Sequence, residues 1–252
     1  MKILVLGKGG AGKSTVSALL AKSFAKKGFK VWVLDGDESN FGLYRHLGIN
    51  PPEELMNLYG GKKGISEKLR RFFTERESVK ITDTVSKEEI PKEYIAEKDG
   101  ISLSVIGKIK DFGEGCACPM GALLRNFLKS LVLKEKEIVI VDTDAGIEHL
   151  GRGVEEGCDL CIFVIDPTYE SIMLSKKVKE MLKETGKELI IVLNKVNDEN
   201  KEILLKHLED EISCIIPQNK EILESGLKGE EINIHLPEID NFTSTLIEKF
   251  IS

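Results

Sequence analysis

The sequence predicts a single α/β domain, a mostly parallel twisted sheet of about seven or eight strands with helices on both faces. Short apolar runs alternate with helical periodicities, the order that winds helices around a parallel sheet. The run Ile138-Val139-Ile140-Val141 is apolar without interruption, as strands buried on both faces are. A glycine-rich loop joins the first strand to the first helix, and such sheets bind ligands beyond the carboxyl ends of their strands.

In chain order the predicted strands are Ile3–Leu6, Val31–Asp35, Leu103–Ile106, Ile138–Asp142, Leu160–Ile165, Leu189–Leu193 and Cys214–Ile216. The first helix repeats Val16, Leu19, Leu20 and Phe24 on one face, leaves Lys22, Lys26 and Lys27 in water, and ends at Gly28. Residues 51–100 break the alternation. They are charged (Lys62, Lys63, Lys68, Arg70, Arg71), show no clear buried strand, and read as an insertion or lid or, equally, as a solvated helical excursion. Phe242–Ile251 is mildly amphipathic with Lys249 as its only basic residue, a closing helix and not a basic membrane anchor. One domain is expected over residues 1–252.

Composition narrows the class. A hydrophobic content of 41% and a charged content of 31% describe a globular chain, and a net charge of −6 argues against a broad nucleic-acid footprint. The sequence shows no signal peptide and no apolar run of membrane-spanning length, so a cytoplasmic location without membrane partners is expected. Five cysteines in such a chain favour metal binding or burial over a disulfide framework.

Residues 7–15, G-K-G-G-A-G-K-S-T, satisfy the phosphate-loop pattern through Gly7, Gly12, Lys13 and Ser14. Gly9, Gly10 and Gly12, with Ala11 between them, let backbone N–H groups turn towards phosphate oxygens, and the helix start adds favourable partial charge. Lys13 would reach the β- and γ-phosphates, Ser14 would sit on Mg²⁺, and Thr15 completes the motif. Gly7, Gly9 and Gly12 also fit a dinucleotide fingerprint with Asp35 as its ribose acid. Lys13-Ser14-Thr15 decides for a triphosphate, because a dinucleotide pyrophosphate needs neither a lysine nor a metal ligand there. Lys8 is unusual: a second cation at the mouth of the loop needs another phosphate to meet, its own or a partner's.

Asp35 and Asp37 end the second strand two residues apart; one would serve the metal shell or the loop's hydrogen bonds, while the other would face the γ-phosphate. The alternative is that both merely form a turn. Asp142-Thr143-Asp144-Ala145-Gly146 follows the fourth strand. Asp142 would hold a water of the Mg²⁺ shell, and the Gly146 N–H could approach the γ-phosphate, making this loop the transmitter of nucleotide state. Asn194-Lys195-Val196-Asn197 lacks the aspartate that reads guanine, so adenine is expected, with Asn194 and Pro217-Gln218-Asn219 as base contacts.

Cys116 and Cys118 lie in a 113–119 loop, G-E-G-C-A-C-P. One pair cannot close a four-coordinate site, but two copies about a two-fold axis supply four sulfurs, suited to Zn²⁺ or Ni²⁺. A helix starting near Met120 would favour the thiolates. A redox pair or incidental small residues are the competing readings. Cys158 and Cys161, expected on opposite faces of a strand, and Cys214 read as buried small hydrophobes. His149, just past the Asp142 loop, reads as a relay to a partner or as packing.

The K-G-G-A-G-K-S-T loop resembles the deviant Walker A motif of the MinD/ParA/nitrogenase-iron-protein group, and Asp142–Gly146 looks like Walker B plus switch II. With the loops Gly113–Pro119 and Asp144–Gly153 and the Tyr59-Gly60-Gly61-Lys62-Lys63 feature, nearly the whole chain is similar to the CooC-type maturation factors of carbon monoxide dehydrogenase. The resemblance implies a P-loop ATPase that works as a homodimer, with Lys8 crossing to the other subunit's nucleotide and Asp37, in a segment that resembles switch I, positioning the attacking water. It also implies nickel bound through the Cys116/Cys118 pair and installed in the client's nickel–iron–sulfur cluster. A maturation factor for acetyl-CoA synthase looks alike. An iron–sulfur electron donor is disfavoured by the adjacent cysteines, and a DNA or membrane partitioning ATPase by the acidic charge and missing basic helix.

Overall fold

The computed structural model describes residues 1–39, 42–75, 84–108, 118–146, 148–208 and 212–251. The strands are β1 (Lys2–Gly7), β2 (Lys30–Asp35), β3 (Ala96–Lys98), β4 (Ile101–Val105), β5 (Glu137–Asp142), β6 (Leu160–Ile165), β7 (Glu188–Val196) and β8 (Ile212–Pro217). The helices are α1 (Lys13–Lys26), α2 (Leu43–Leu47), α3 (Leu55–Leu58), α4 (Gly61–Glu75), α5 (Cys118–Ser130), α6 (Glu148–Gly151), α7 (Tyr169–Thr185), α8 (Asp198–His207), α9 (Lys220–Lys228) and α10 (Pro237–Phe250). The sheet has 8 strands in the order β3-β4-β2-β5-β1-β6-β7-β8, and every pair is parallel except β3 with β4.

This is the predicted architecture, with all seven expected strands present. Alternation along β1 sends Ile3 and Val5 to one face and Leu4 and Leu6 to the other, so the sheet carries a hydrophobic layer on each side. Val16, Leu19, Leu20 and Phe24 bury the predicted face of α1 against Val31, Val33 and Ile140, with Phe242 and Leu246 of α10 alongside. The opposite layer gathers Trp32, Leu34, Phe127, Phe163 and Val178. After β1 the chain moves to one side of the sheet, and after β5 to the other, which places the β1–α1 loop at the reversal of strand order, where α/β sheets open a crevice.

Residues 51–75 are packed into this scaffold. Leu55, Met56 and Ile65 are buried in the same layer as Phe127, the Met56 N–H donates to the Ile106 carbonyl (3.0 Å), and α4 lies against α5. The eighth strand, β3, was not expected: it is short and polar, and it pairs back on β4 through an Asp99-Gly100 turn in which both residues have positive φ (51° and 79°). The closing helix starts five residues earlier than expected because Pro237, lacking an N–H, is well placed at its first position. Among the described residues no helix is long and apolar enough to cross a membrane.

Candidate nucleotide site

The β1–α1 loop closes as the glycine pattern requires. Gly12 caps α1 in the left-handed region (φ 94°) without a side-chain partner, so the first N–H groups of the helix face the loop. A Cβ at Gly12 would meet Asn194 Nδ2 on a backbone already in the left-handed region, and one at Gly7 would stand 2.6 Å from the Val164 carbonyl oxygen, so both positions require glycine. The Ala11 N–H donates to the Lys8 carbonyl (3.1 Å), and buried Lys13 aims its ammonium at that same carbonyl (3.4 Å). Gly9 and Gly10 stay exposed at the rim, while Thr15 is half-buried in the first turn of α1.

Beneath the loop, Asp142 is fully buried and accepts hydrogen bonds from Ser14 Oγ (2.6 Å) and Ser17 Oγ (3.0 Å). Burial pushes its carboxyl up to about 7, against the pull of the Ser14 hydroxyl. A hydroxyl and a carboxylate oxygen side by side form a hard, oxygen-only donor set, which fits Mg²⁺. Thr143 Oγ1 donates to the Val5 carbonyl (2.8 Å), tying this strand end to β1. The Gly146 N–H is not directed at the loop cavity: it donates to the Gly7 carbonyl (3.2 Å), so it must exchange that partner before meeting any phosphate.

The loop after β2 holds a cation that the sequence did not single out. Lys108, buried at the end of the segment leaving β4, donates to Asp35 Oδ2 (2.8 Å) and to the Asp37 carbonyl. Asp35 also accepts from the Asp37 N–H (3.2 Å), and burial raises its carboxyl to about 6 despite the adjacent ammonium. Asp35 is therefore occupied with Lys108 and its own turn. Asp37 Oδ1 accepts from the Ser39 N–H (2.9 Å) and Ser39 Oγ (2.8 Å), which fixes its orientation. Next to it, buried Glu38 lies 3.3 Å from Arg152 Nη1; burial and the neighbouring Asp144 carboxyl hold Glu38 well above the usual carboxylate range.

Lys8 is held within its own chain, donating to Thr168 Oγ1 (3.1 Å) with Asp166 Oδ2 at 3.8 Å, at the start of α7. Tyr169 and Met173, one helical turn apart on α7, are exposed beside that contact. The residues of the expected base loops have partners within the chain. Asn194 Nδ2 donates to the Ala11 carbonyl (2.9 Å) and Lys195 Nζ to the Gly10 carbonyl (2.7 Å), so both buttress the phosphate loop. Asn219 Oδ1 caps α9 through Glu221 and Ile222, and Asn197 caps α8. Of the proposed base contacts, Pro217 ends β8 and Gln218 is exposed.

Cys116 and the side chains of Cys118 and His149 lie outside the described residues; α5 opens at Cys118. Cys158, Cys161 and Cys214 are buried, and desolvation raises the thiols of Cys161 and Cys214 to about 12. Contrary to the expected opposite faces, Cys158 and Cys161 share one layer, because Cys158 precedes β6 and alternation does not reach it. A cavity of about 950 Å³ lined by Lys30, Lys98 and Glu137 opens at the amino ends of the strands, remote from the loop.

Residues 2–114 match the CobQ/CobB/MinD/ParA nucleotide-binding domain. An uncharacterised ATP-binding protein of Methanocaldococcus jannaschii is 54% identical over 98% of this chain and 99% of its own. The carbon monoxide dehydrogenase accessory protein CooC of Rhodospirillum rubrum is 34% identical over 78% of this chain and 74% of its own. In fold, the septum site-determining protein MinD from Pyrococcus horikoshii, complexed with Mg-ADP, superposes with a TM-score of 0.70 at 18% identity, covering 97% of this chain and 95% of that one. With its phosphate loop at the carboxyl end of a central parallel strand, the chain belongs to the MinD/ParA-type family of P-loop nucleotide-binding proteins.

Proposed function

We propose that this chain is a cytoplasmic, ATP-dependent homodimeric metallochaperone that binds nickel and assists its insertion into the nickel–iron–sulfur cluster of carbon monoxide dehydrogenase. The observation that carries the reading is the 34% identity, over 78% of the chain, to the accessory protein CooC. The Cys-Ala-Cys-Pro sequence at the opening of α5 supports it, because a thiolate pair at a helix start, doubled in a dimer, makes a four-sulfur site for the cargo ion, nickel or zinc.

Within this reading ATP lies along residues 7–15, with Lys13 on its terminal phosphates and the loop N–H groups around the others. Ser14 and Asp142 would hold Mg²⁺, whose charge neutralises phosphate oxygens when bound. Asp37, oriented by Ser39, positions the attacking water. Gly146 exchanges the Gly7 carbonyl for the γ-phosphate, and this reports nucleotide state. Lys8 leaves Thr168 and Asp166 to meet the partner subunit's nucleotide.

The test is equilibrium dialysis with Ni²⁺ on the full chain and on a variant carrying Cys116→Ser and Cys118→Ser. The double variant is expected to lose nickel while binding ATP as before, and only the unsubstituted protein should activate apo-carbon monoxide dehydrogenase with ATP and Ni²⁺. Stoichiometric nickel on the double variant would overturn the site. Activation of apo-acetyl-CoA synthase alone would reassign the client.

A further inference from the structure

The backbone of Asp142 is fixed on both sides: its register sets it beside Val5 of β1 and Asp35 of β2, and its carbonyl accepts from the Gly36 N–H (2.8 Å). The sheet leaves open the turn of the carboxylate plane, because the last torsion of an aspartate is broad and two-fold. Two hydroxyls remove that freedom, one on each oxygen: Ser14 Oγ donates to Oδ2 (2.6 Å) and Ser17 Oγ to Oδ1 (3.0 Å). They stand three apart in α1 and so share a face of the helix. Ser14 belongs to the phosphate-loop pattern, and Ser17 does not. Ser17 is fully buried, in a helix whose adjoining Val16, Ala18, Leu20 and Ala21 are buried as well. Packing and helix propensity alone favour alanine at such a position, since serine forms helix less readily and a buried hydroxyl must find a partner. The bond to Asp142 is what the hydroxyl adds.

We propose that Ser17 is a positioning residue for the Mg²⁺ site: its hydroxyl pins Asp142 Oδ1 and thereby keeps Oδ2 turned to Ser14 Oγ. Ser14 has two partners to serve, because its oxygen offers lone pairs to a cation while its single proton stays with the carboxylate. A carboxylate held by Ser14 alone would be free to rock once that hydroxyl is shared. Ser17, one helical turn further along α1, holds the other oxygen whichever partner Ser14 serves. Groups that orient the ligands of a metal without touching it commonly set its affinity by tenfold or more. The inference rests on the ATP and Mg²⁺ part of the proposed function and not on nickel.

The experiment compares the unsubstituted chain with Ser17→Ala and Ser17→Thr. Calorimetry gives the affinity for a non-hydrolysable ATP analogue in excess EDTA, and a titration then gives the Mg²⁺ concentration at which half of the metal-dependent gain in affinity is reached. Ser17→Ala should bind the metal-free analogue within about twofold of the unsubstituted protein but require at least about tenfold more Mg²⁺. Ser17→Thr, which keeps the hydroxyl, should stay within about threefold of the unsubstituted protein in both measurements. A serine with a merely structural role would lower the urea stability of Ser17→Ala and leave its Mg²⁺ requirement unchanged, and that result overturns the inference. So does an equal loss of analogue affinity with and without the metal, which would assign Ser17 to the phosphate loop itself. Should Ser17→Thr fail to fold, Ser17→Cys takes its place; its weaker donor should put the Mg²⁺ requirement between those of serine and alanine, and a requirement equal to that of alanine's counts against the hydroxyl. An unsubstituted protein whose analogue affinity is indifferent to Mg²⁺ overturns the metal site and this inference together.

Discussion

Replacing Asp142 by Asn in the nucleotide-free protein removes a carboxylate that burial makes costly. Its folded-state pKa of about 7 lies above the unfolded value of 3.8, so between those two pH values the folded protein keeps a proton the unfolded chain has released. Stability therefore falls as pH rises through this window and levels off above it. At about 1.4 kcal/mol per pH unit, the ionised group costs about 4 kcal/mol at pH 8 and about 2 at pH 5. Asn keeps the shape but turns one acceptor into a donor where Ser14 and Ser17 now donate, which offsets about 2 kcal/mol. Asp142→Asn should thus stabilise the protein by about 2 kcal/mol at pH 8 and by roughly nothing at pH 5. Equilibrium urea unfolding at the two pH values measures this, and adding Mg²⁺ with ATP should stabilise the native protein far more than the variant. A variant that unfolds more readily than the native protein at pH 8 would show the carboxylate to be structural and refute the reasoning.

Gly12→Ala forces a side chain into the left-handed region and onto Asn194, so it should destabilise the fold by at least about 2 kcal/mol and abolish nucleotide binding in calorimetry. Asn194→Ala removes the partner of the Ala11 carbonyl; nucleotide affinity should fall about tenfold, and equally for ATP and GTP. A loss confined to ATP would make Asn194 a base contact instead. Asp166→Ala frees Lys8 from a part-exposed ion pair worth under about 1 kcal/mol, so analogue-driven dimerisation in sedimentation should tighten by up to about fivefold. Weaker dimerisation would place Asp166 in the interface itself.

The sheet was legible because its strands are buried on both faces, so unbroken apolar runs such as Ile138–Val141 mark them without ambiguity. β3 went unseen because an edge strand of alternating charge lacks that signature, although Asp99-Gly100 is a hairpin signal that could have disclosed it. The phosphate loop was readable because its chemistry is local: residues within one turn act together. Lys108 and Arg152 were not, since Lys108 meets Asp35 across 73 positions and Arg152 meets Glu38 across 114, and no periodicity encodes such a meeting. Asn197 and Asn219 were read for base recognition, while the charged, helical stretches directly after them already announced helix caps.

The two ends of the sheet bear on how copies of this protein can meet. At one margin stands β3, three residues long and carrying Glu97 and Lys98; at the other stands β8, whose ladder to β7 is interrupted twice and stops at Pro217. Short charged margins, irregular ladders and proline are the devices by which sheets resist fusing edge to edge into continuous β-structure. Self-association is thereby steered away from strand-to-strand growth, which has no natural stopping point, and a closed pairing of copies has to use other surfaces.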